Sequence, residues 1–202
     1  MYDQPIPYYD KIYLQIKDYR QEVEYLINTV ESYGDYSHKE LLDVACGTGE
    51  HLRYLKKHLH AEGIDAGAEF VRIAKEKNPE LAIYTGDMRG FAIGKKFDII
   101  TCLFSSIGYM TSVEDLACAI GNMKRHLKHG GLLLIEPWFT PENWKVGHIS
   151  LEVVDGEGLK IVRMGTSRQE KNISVFDLHY LVGTPESTVH LCAKLSLALL
   201  AG

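Results

Sequence analysis

Between residues 40 and 137 the chain alternates short apolar runs with stretches of helical period, and no other feature narrows the fold so far. The apolar runs fall at 40–45, 61–65, 81–84, 97–103 and 131–137, with helical patterns at 49–58, 67–77 and 113–128. Parallel strands need long crossovers, and a helix is the usual one. The alternation predicts an α/β fold, a Rossmann-like, doubly wound and mostly parallel sheet. The run GLLLIE at 131–136 does not alternate at all, as expected of a strand buried on both faces.

The flanks have a different texture. In QEVEYLINTVESYG apolar residues recur at Val23, Leu26, Ile27 and Val30, and Gly34 follows as a stop, so a helical cap is expected at the N-terminus. Beyond Pro141, SLEVVDGEGLKIVRMG and QEKNISVFDLHYLVG alternate apolar with polar residues. Their turn signals at Asp155-Gly156 and Lys171-Asn172 predict appended antiparallel hairpins. The final HLCAKLSLALLAG fits a further strand or a short helix equally. Two domains are expected: 1–139, an α/β core with its helical cap, and 140–202, an antiparallel β extension.

With 46% hydrophobic and 24% charged residues and a formal charge of −5, the chain reads as globular, and its net negative charge argues against a nucleic-acid partner while leaving room for local basic patches. No apolar run approaches the roughly 20 residues of a membrane span. The N-terminal MYDQPIPYYDKIY holds no signal-peptide core, so a cytoplasmic location and no membrane partner are expected. Cys46, Cys102, Cys118 and Cys192 show no CxxC pair or metal-ligand spacing. They are expected to be reduced thiols, mostly in the core, and no metal is expected.

The first strand runs into LLDVACGTGEHL, residues 41–52. A dinucleotide fingerprint needs G-x-G-x-x-G, and here Ala45, Gly47 and Leu52 or His51 occupy the aligned positions. A Walker loop needs Gly-Lys-Ser/Thr, which is absent. The pattern Asp-x-Ala-x-Gly-x-Gly resembles instead the first motif of class I S-adenosylmethionine methyltransferases. Gly47 and Gly49 let the backbone approach a ligand without a clashing Cβ, and Asp43 anchors either the loop or, through water, the cofactor ammonium. Asp65, ending the second strand, is placed to accept from ribose hydroxyls. In that family an aspartate matching Asp87 meets the adenine amino group, and the backbone amide of Met88 serves the ring.

No Asn/Asp-Pro-Pro-Tyr/Phe motif follows the fourth strand, which disfavours a nucleobase substrate. YYDKIY, IKDY, LLDVACGTGEHL, GDMRGF, FDIITCLFSSIGY, HLKHGGLLLIEPWF and LHYLV together resemble the antibiotic aminosugar N,N-dimethyltransferases. The resemblance implies a nucleotide-linked 3-aminodeoxysugar as small-molecule acceptor and two methyl transfers from S-adenosylmethionine, each releasing S-adenosylhomocysteine. It assigns Tyr19, Ala45, Asp65, Asp87, Met88 and Leu103 to the cofactor. Tyr2, Tyr13, Tyr109 and Trp138 fall to the substrate pocket, and the hairpins to an acceptor lid and a homodimer surface. Tyr109, the catalytic candidate, stands where the family has histidine, and the family continues past residue 202 into a Gly-Arg-Gly stretch, so either a truncated extension or a different acceptor pocket is expected. Methyl transfer to another small amine or hydroxyl, and cofactor binding without turnover, remain the alternatives.

Other residues have two readings each. Trp138 either stacks on the acceptor or packs under the hairpins. His51 approaches the cofactor carboxylate or, the favoured reading, lies on solvated surface. Arg163 and His179 are expected on solvated strand faces. Tyr109 or Glu136 could steer the amine by hydrogen bonding, a role that needs no base near neutral pH.

Overall fold

The computed structural model describes residues 5–34, 36 and 39–199. In chain order the elements are α1 (Ile6–Ile16), α2 (Tyr19–Glu31), β1 (Glu40–Val44), α3 (Glu50–Leu55), β2 (His60–Asp65), α4 (Ala68–Lys77) and β3 (Ile83–Thr85). There follow β4 (Phe97–Cys102), α5 (Val113–Arg125), β5 (Leu127–Ile135), β6 (Ile149–Gly156), β7 (Leu159–Glu170), β8 (Ile173–Gly183) and β9 (Thr188–Ala198). The chain forms two compact units, Asp18–Pro137 and a second made of the residues up to Lys17 together with those from Trp138 onward.

The first unit is the expected parallel sheet, in the order β3-β2-β1-β4-β5. The order reverses direction between β1 and β4, which opens a crevice at their carboxyl ends, the usual ligand position in such sheets. α2 starts where the Asp18 carboxylate accepts from Gln21 N–H at 3.0 Å, a side-chain cap. Its stripe of Val23, Leu26, Ile27 and Val30 enters a core with Leu41, Leu52, Leu55, Ala74 and Ile99. Each large aliphatic side chain buried there contributes about 1.5–3 kcal/mol. Ser112 caps α5 in the same way, accepting from Asp115 N–H at 3.0 Å. β5 starts at Leu127 rather than at 131, because Leu127 pairs with Phe97 before a bulge restores the ladder at Ile99 and Leu132. No helix among the described residues is long and apolar enough to cross a membrane.

The second unit is a four-stranded antiparallel sheet, β6-β7-β8-β9, joined by consecutive hairpins. Its first turn sits at Glu157-Gly158, not at Asp155-Gly156: Gly156 still pairs with Leu159, and Gly158 takes the positive φ of 71°. The second turn lies at Lys171-Asn172 as expected. The ambiguous terminal segment is a strand, paired with β8 from Thr188 to Ala198. α1 belongs to this unit, where Ile12 packs with Val154, Ile161, Leu178, Tyr180, Val182 and Ala193. Arg163 is not on a solvated face. Strand period turns it inward with Ile161, and at 5% exposure it donates from Nε to Glu152 at 2.9 Å and from Nη1 to the Tyr13 hydroxyl at 3.0 Å. Of the cysteines only Cys46 and Cys102 are buried, whereas Cys118 and Cys192 are exposed.

Candidate active site

The crevice at the reversal of strand order is built first by the turn after β1. Ala45, Gly47 and Gly49 all adopt left-handed backbone, at φ of 60°, 55° and 76°. The two glycines answer different needs. A Cβ on Gly49 would stand 2.8 Å from Asn78 Nδ2 and 3.1 Å from Ala74 Cβ, so that glycine allows α3 and α4 to pack closely. A Cβ on Gly47 would meet nothing within 4 Å, leaving bare backbone facing open space. Asp65, at the end of β2, holds this turn: its Oδ2 accepts from Gly47 N–H and its Oδ1 from Gly67 N–H, both at 2.8 Å. Burial pushes the Asp65 carboxyl above its ordinary range, and those two amide bonds work against the rise.

Beneath the turn lies Asp43, 1% exposed. Parallel register sets it beside Thr101 of β4, whose hydroxyl donates to Oδ1 at 2.8 Å. The other oxygen, Oδ2, is buried without a hydrogen-bond partner. Burial raises this carboxyl from 3.8 to about 6, opposed by His51 and by the Thr101 hydroxyl. His51 is not solvated surface: it is 7% exposed, pairs through Nε2 with Glu22 at 2.9 Å, and meets Tyr19 edge-on at 4.8 Å between ring centroids. Tyr19 is itself buried. α2 therefore reaches the start of α3, beside the glycine turn, through Tyr19 and Glu22.

The opposite wall follows β3 and β4. Asp87 accepts from the Arg89 guanidinium, which holds its carboxyl below the ordinary range. Met88 is buried, and Asn122 Nδ2 donates to its carbonyl at 3.2 Å. After β4 come Leu103, half-buried, then Phe104 and Ser105, both left-handed at φ of 50° and 57°. A left-handed non-glycine residue costs about 1–2 kcal/mol, and such strain gathers at functional sites. Among the described residues four non-glycine positions have positive φ, and three of them, Ala45, Phe104 and Ser105, flank this crevice. Glu136 Oε2 accepts from Phe104 N–H at 2.6 Å and the Pro137 carbonyl accepts from the Ser105 hydroxyl at 2.9 Å, so the end of β5 holds the strained loop. The loop continues into a tight turn, Ser106–Tyr109, that presents the half-buried Tyr109. Phe104, Ser105 and the buried Glu50, which binds Lys77 at 2.7 Å, are residues that sequence reasoning did not single out.

All the residues expected on the cofactor (Tyr19, Asp43, Ala45, Gly47, Gly49, Asp65, Asp87, Met88 and Leu103) fall within the Asp18–Pro137 unit, as does Tyr109. Tyr13 and Trp138 belong to the other unit. There the Trp138 indole N–H donates to Ser174 at 2.8 Å, and its half-buried ring packs among Phe139, Trp144 and Phe176. Tyr2 lies outside the described residues.

S-adenosylmethionine carries an ammonium, a ribose diol and an adenine, and the crevice fits it. Asp43 Oδ2 is a buried acceptor lacking a donor, Gly47 offers backbone that no side chain covers, and each Asp65 oxygen retains a lone pair after its amide bond. Residues 41–131 match the methyltransferase domain family. The chain is 36% identical over 171 residues to a dTDP-3-amino-3,6-dideoxy-α-D-glucopyranose N,N-dimethyltransferase of Streptomyces fradiae, covering 84% of this chain and 67% of that protein. It is 35% identical over 179 residues to the dTDP-3-amino-3,4,6-trideoxy-α-D-glucopyranose N,N-dimethyltransferase of Streptomyces venezuelae, covering 88% and 75%. The solved structure of S-adenosylmethionine-bound CalS10, an amino pentose methyltransferase from Micromonospora echinaspora, superimposes with a TM-score of 0.87 at 28% identity, covering 99% of this chain and 84% of that one. The chain belongs to the class I S-adenosylmethionine-dependent methyltransferases, in the branch of the aminosugar N,N-dimethyltransferases.

Proposed function

We propose that this protein transfers methyl groups from S-adenosylmethionine to the amino group of a dTDP-linked aminodeoxysugar, twice in succession. The observation that carries the reading is Asp65, which joins the glycine turn to the loop after β2 while keeping lone pairs for a diol. The acceptor class rests on the similarity to the two Streptomyces enzymes. A net charge of −5 supports a small-molecule acceptor rather than a nucleic acid.

S-adenosylmethionine supplies an electrophilic methyl on a sulfonium, with an uncharged thioether as leaving group. Asp65 takes the ribose hydroxyls, and Asp43 sets a negative charge beneath the ammonium. Ala45 and Gly47 keep the turn low enough to admit the methionine portion, with Tyr19 and Leu103 as apolar walls. Asp87 and Met88 receive the adenine, which requires Asp87 to share its carboxylate with Arg89. Tyr109 steers the neutral amine by hydrogen bonding, and the proton of an ammonium substrate passes to solvent. Displacement of this kind needs little acid–base help, so alignment supplies most of the rate, up to roughly 7–11 kcal/mol.

The test is direct. Incubation with dTDP-3-amino-3,6-dideoxyglucose and saturating S-adenosylmethionine should give products heavier by one and then two methyl groups. Calorimetry with S-adenosylmethionine and S-adenosylhomocysteine should show binding of both. Binding without any mass gain removes the aminosugar acceptor; no binding removes methyl transfer itself.

A further inference from the structure

β8 and β9 carry a side-chain cluster to which the proposed methyl transfer assigns no role. Strand period places His190 and Cys192 on one face of β9, and the antiparallel register sets His179 of β8 directly opposite Cys192. All three side chains are exposed, on the face opposite the one that buries Leu178, Tyr180 and Ala193. His179 Nδ1 lies 3.1 Å from His190 Nε2, and Cys192 Sγ lies 3.4 Å from the first and 3.6 Å from the second. The two imidazole planes are nearly parallel, 9° apart.

Those three distances have the dimensions of a coordination triangle. Zinc bonds of about 2.0–2.1 Å to nitrogen and about 2.3 Å to sulfur, arranged tetrahedrally, separate two nitrogens by about 3.3 Å and nitrogen from sulfur by about 3.6 Å. Hydrogen bonding accounts for one edge, an N–H donating to a ring nitrogen, but a thiol is a weak donor and a weak acceptor. A cation shared by all three atoms accounts for the whole triangle. We propose that His179, His190 and Cys192 bind one divalent transition-metal ion of the zinc class, with water at the fourth position. Imidazole with thiolate selects zinc and its neighbours over magnesium or calcium. Binding takes the thiolate form of Cys192 and releases its proton to solvent. The ion would tie the edge strand β9 to β8 and pin their register.

The spacing of the cysteines in sequence gave no metal pattern because one ligand, His179, lies across the hairpin. Only the register brings it to Cys192.

The test uses untagged, metal-stripped protein titrated with Co²⁺ alone. One equivalent should saturate the site, giving a thiolate-to-cobalt charge-transfer band and tetrahedral visible bands that Zn²⁺ then bleaches. Cys192→Ser should abolish the charge-transfer band. His179→Ala should weaken binding by more than the roughly 10–100-fold that even outer-sphere changes bring. Cys118→Ser, at the other exposed cysteine, should change nothing, and unchanged circular dichroism and thermal unfolding of the metal-free proteins should report that each variant is folded. No band at one equivalent, or a band that survives Cys192→Ser, overturns the proposal.

Discussion

Replacing Asp65 with Asn tests the cofactor reading at its most connected residue. The carboxylate accepts two amide bonds at 2.8 Å, from Gly47 and Gly67. Asn keeps one acceptor and turns an N–H₂ toward the other amide, so one bond is lost and two donors face each other. Hydrogen bonds to charged groups contribute about 1.5–3 kcal/mol, and an unsatisfied donor adds about 1–3 kcal/mol. Burial already disfavours the charge, which places the net loss near the low end, at about 2–4 kcal/mol. At roughly 2–4 °C per kcal/mol for a chain of this size, Tm should fall by about 5–15 °C. Weaker cofactor binding alone would not separate a distorted turn from a lost ribose contact. The 2′-deoxy and 3′-deoxy analogues of S-adenosylhomocysteine do separate them. In the parent protein, removing a hydroxyl that bonds the carboxylate should weaken binding roughly 10–150-fold, the equivalent of about 1.5–3 kcal/mol. In Asp65→Asn that penalty should shrink to a few-fold. A deoxy penalty of equal size in both proteins, read by calorimetry, refutes the ribose assignment.

Gly47→Ala should cost only about 1–2 kcal/mol of stability for its left-handed backbone, since its methyl meets no protein atom, yet should weaken S-adenosylmethionine binding at least tenfold. Gly49→Ala, whose methyl collides with Asn78, should do the reverse and lose more stability than affinity, as denaturation and calorimetry on both variants would reveal. For Asp43 the folded value of about 6 lies above the ordinary 3.8. Its contribution to stability is therefore fully present below about pH 4 and withdrawn as pH rises through 6, a swing of about 3 kcal/mol. The stability difference between the parent and Asp43→Asn in urea should change by about that much from pH 4 to pH 8, and a constant difference refutes the assignment. Tyr109→Phe should lower kcat/KM for the aminosugar about tenfold, the loss of about one hydrogen bond, with cofactor affinity unchanged. Tyr109→His should add a pH dependence to kcat/KM near the imidazole value of about 6.5.

The parallel sheet was legible because buried strands and amphipathic helices write different periods into the chain. The places of Asp43 near the end of β1, Gly47 within the turn, Gly49 capping α3 and Asp65 ending β2 were legible because an apolar run, a glycine turn and a helical period follow one another there. Phe104 and Ser105 were not, since nothing in an aromatic side chain announces left-handed backbone; the anchors at Glu136 and Pro137 impose it from another strand. His51 was misread because its burial depends on α2, far away in sequence, presenting Glu22 and Tyr19 to it. Arg163 was misread for a related reason: alternation identifies two faces of a strand but not which one α1 covers. The turn at Glu157-Gly158 was displaced by two residues because Asp-Gly and Glu-Gly stand side by side in the sequence, and the pairing of Val154 with Ile161 decides between them.

The second unit is discontinuous, and that matters at the ribosome. Ile12 emerges early, yet its partners Val154, Ile161 and Val182 are made only after the whole of Asp18–Pro137 has been synthesised. At about 5–20 residues per second α1 waits roughly 10–30 s for the surface it will cover. The continuous parallel-sheet unit has that interval in which to fold, and the last hairpins close over a helix that has been waiting since the start. A nascent chain released before β8 keeps a complete parallel-sheet unit but leaves the apolar stripe of α1 without its core, a ready substrate for chaperones and proteases.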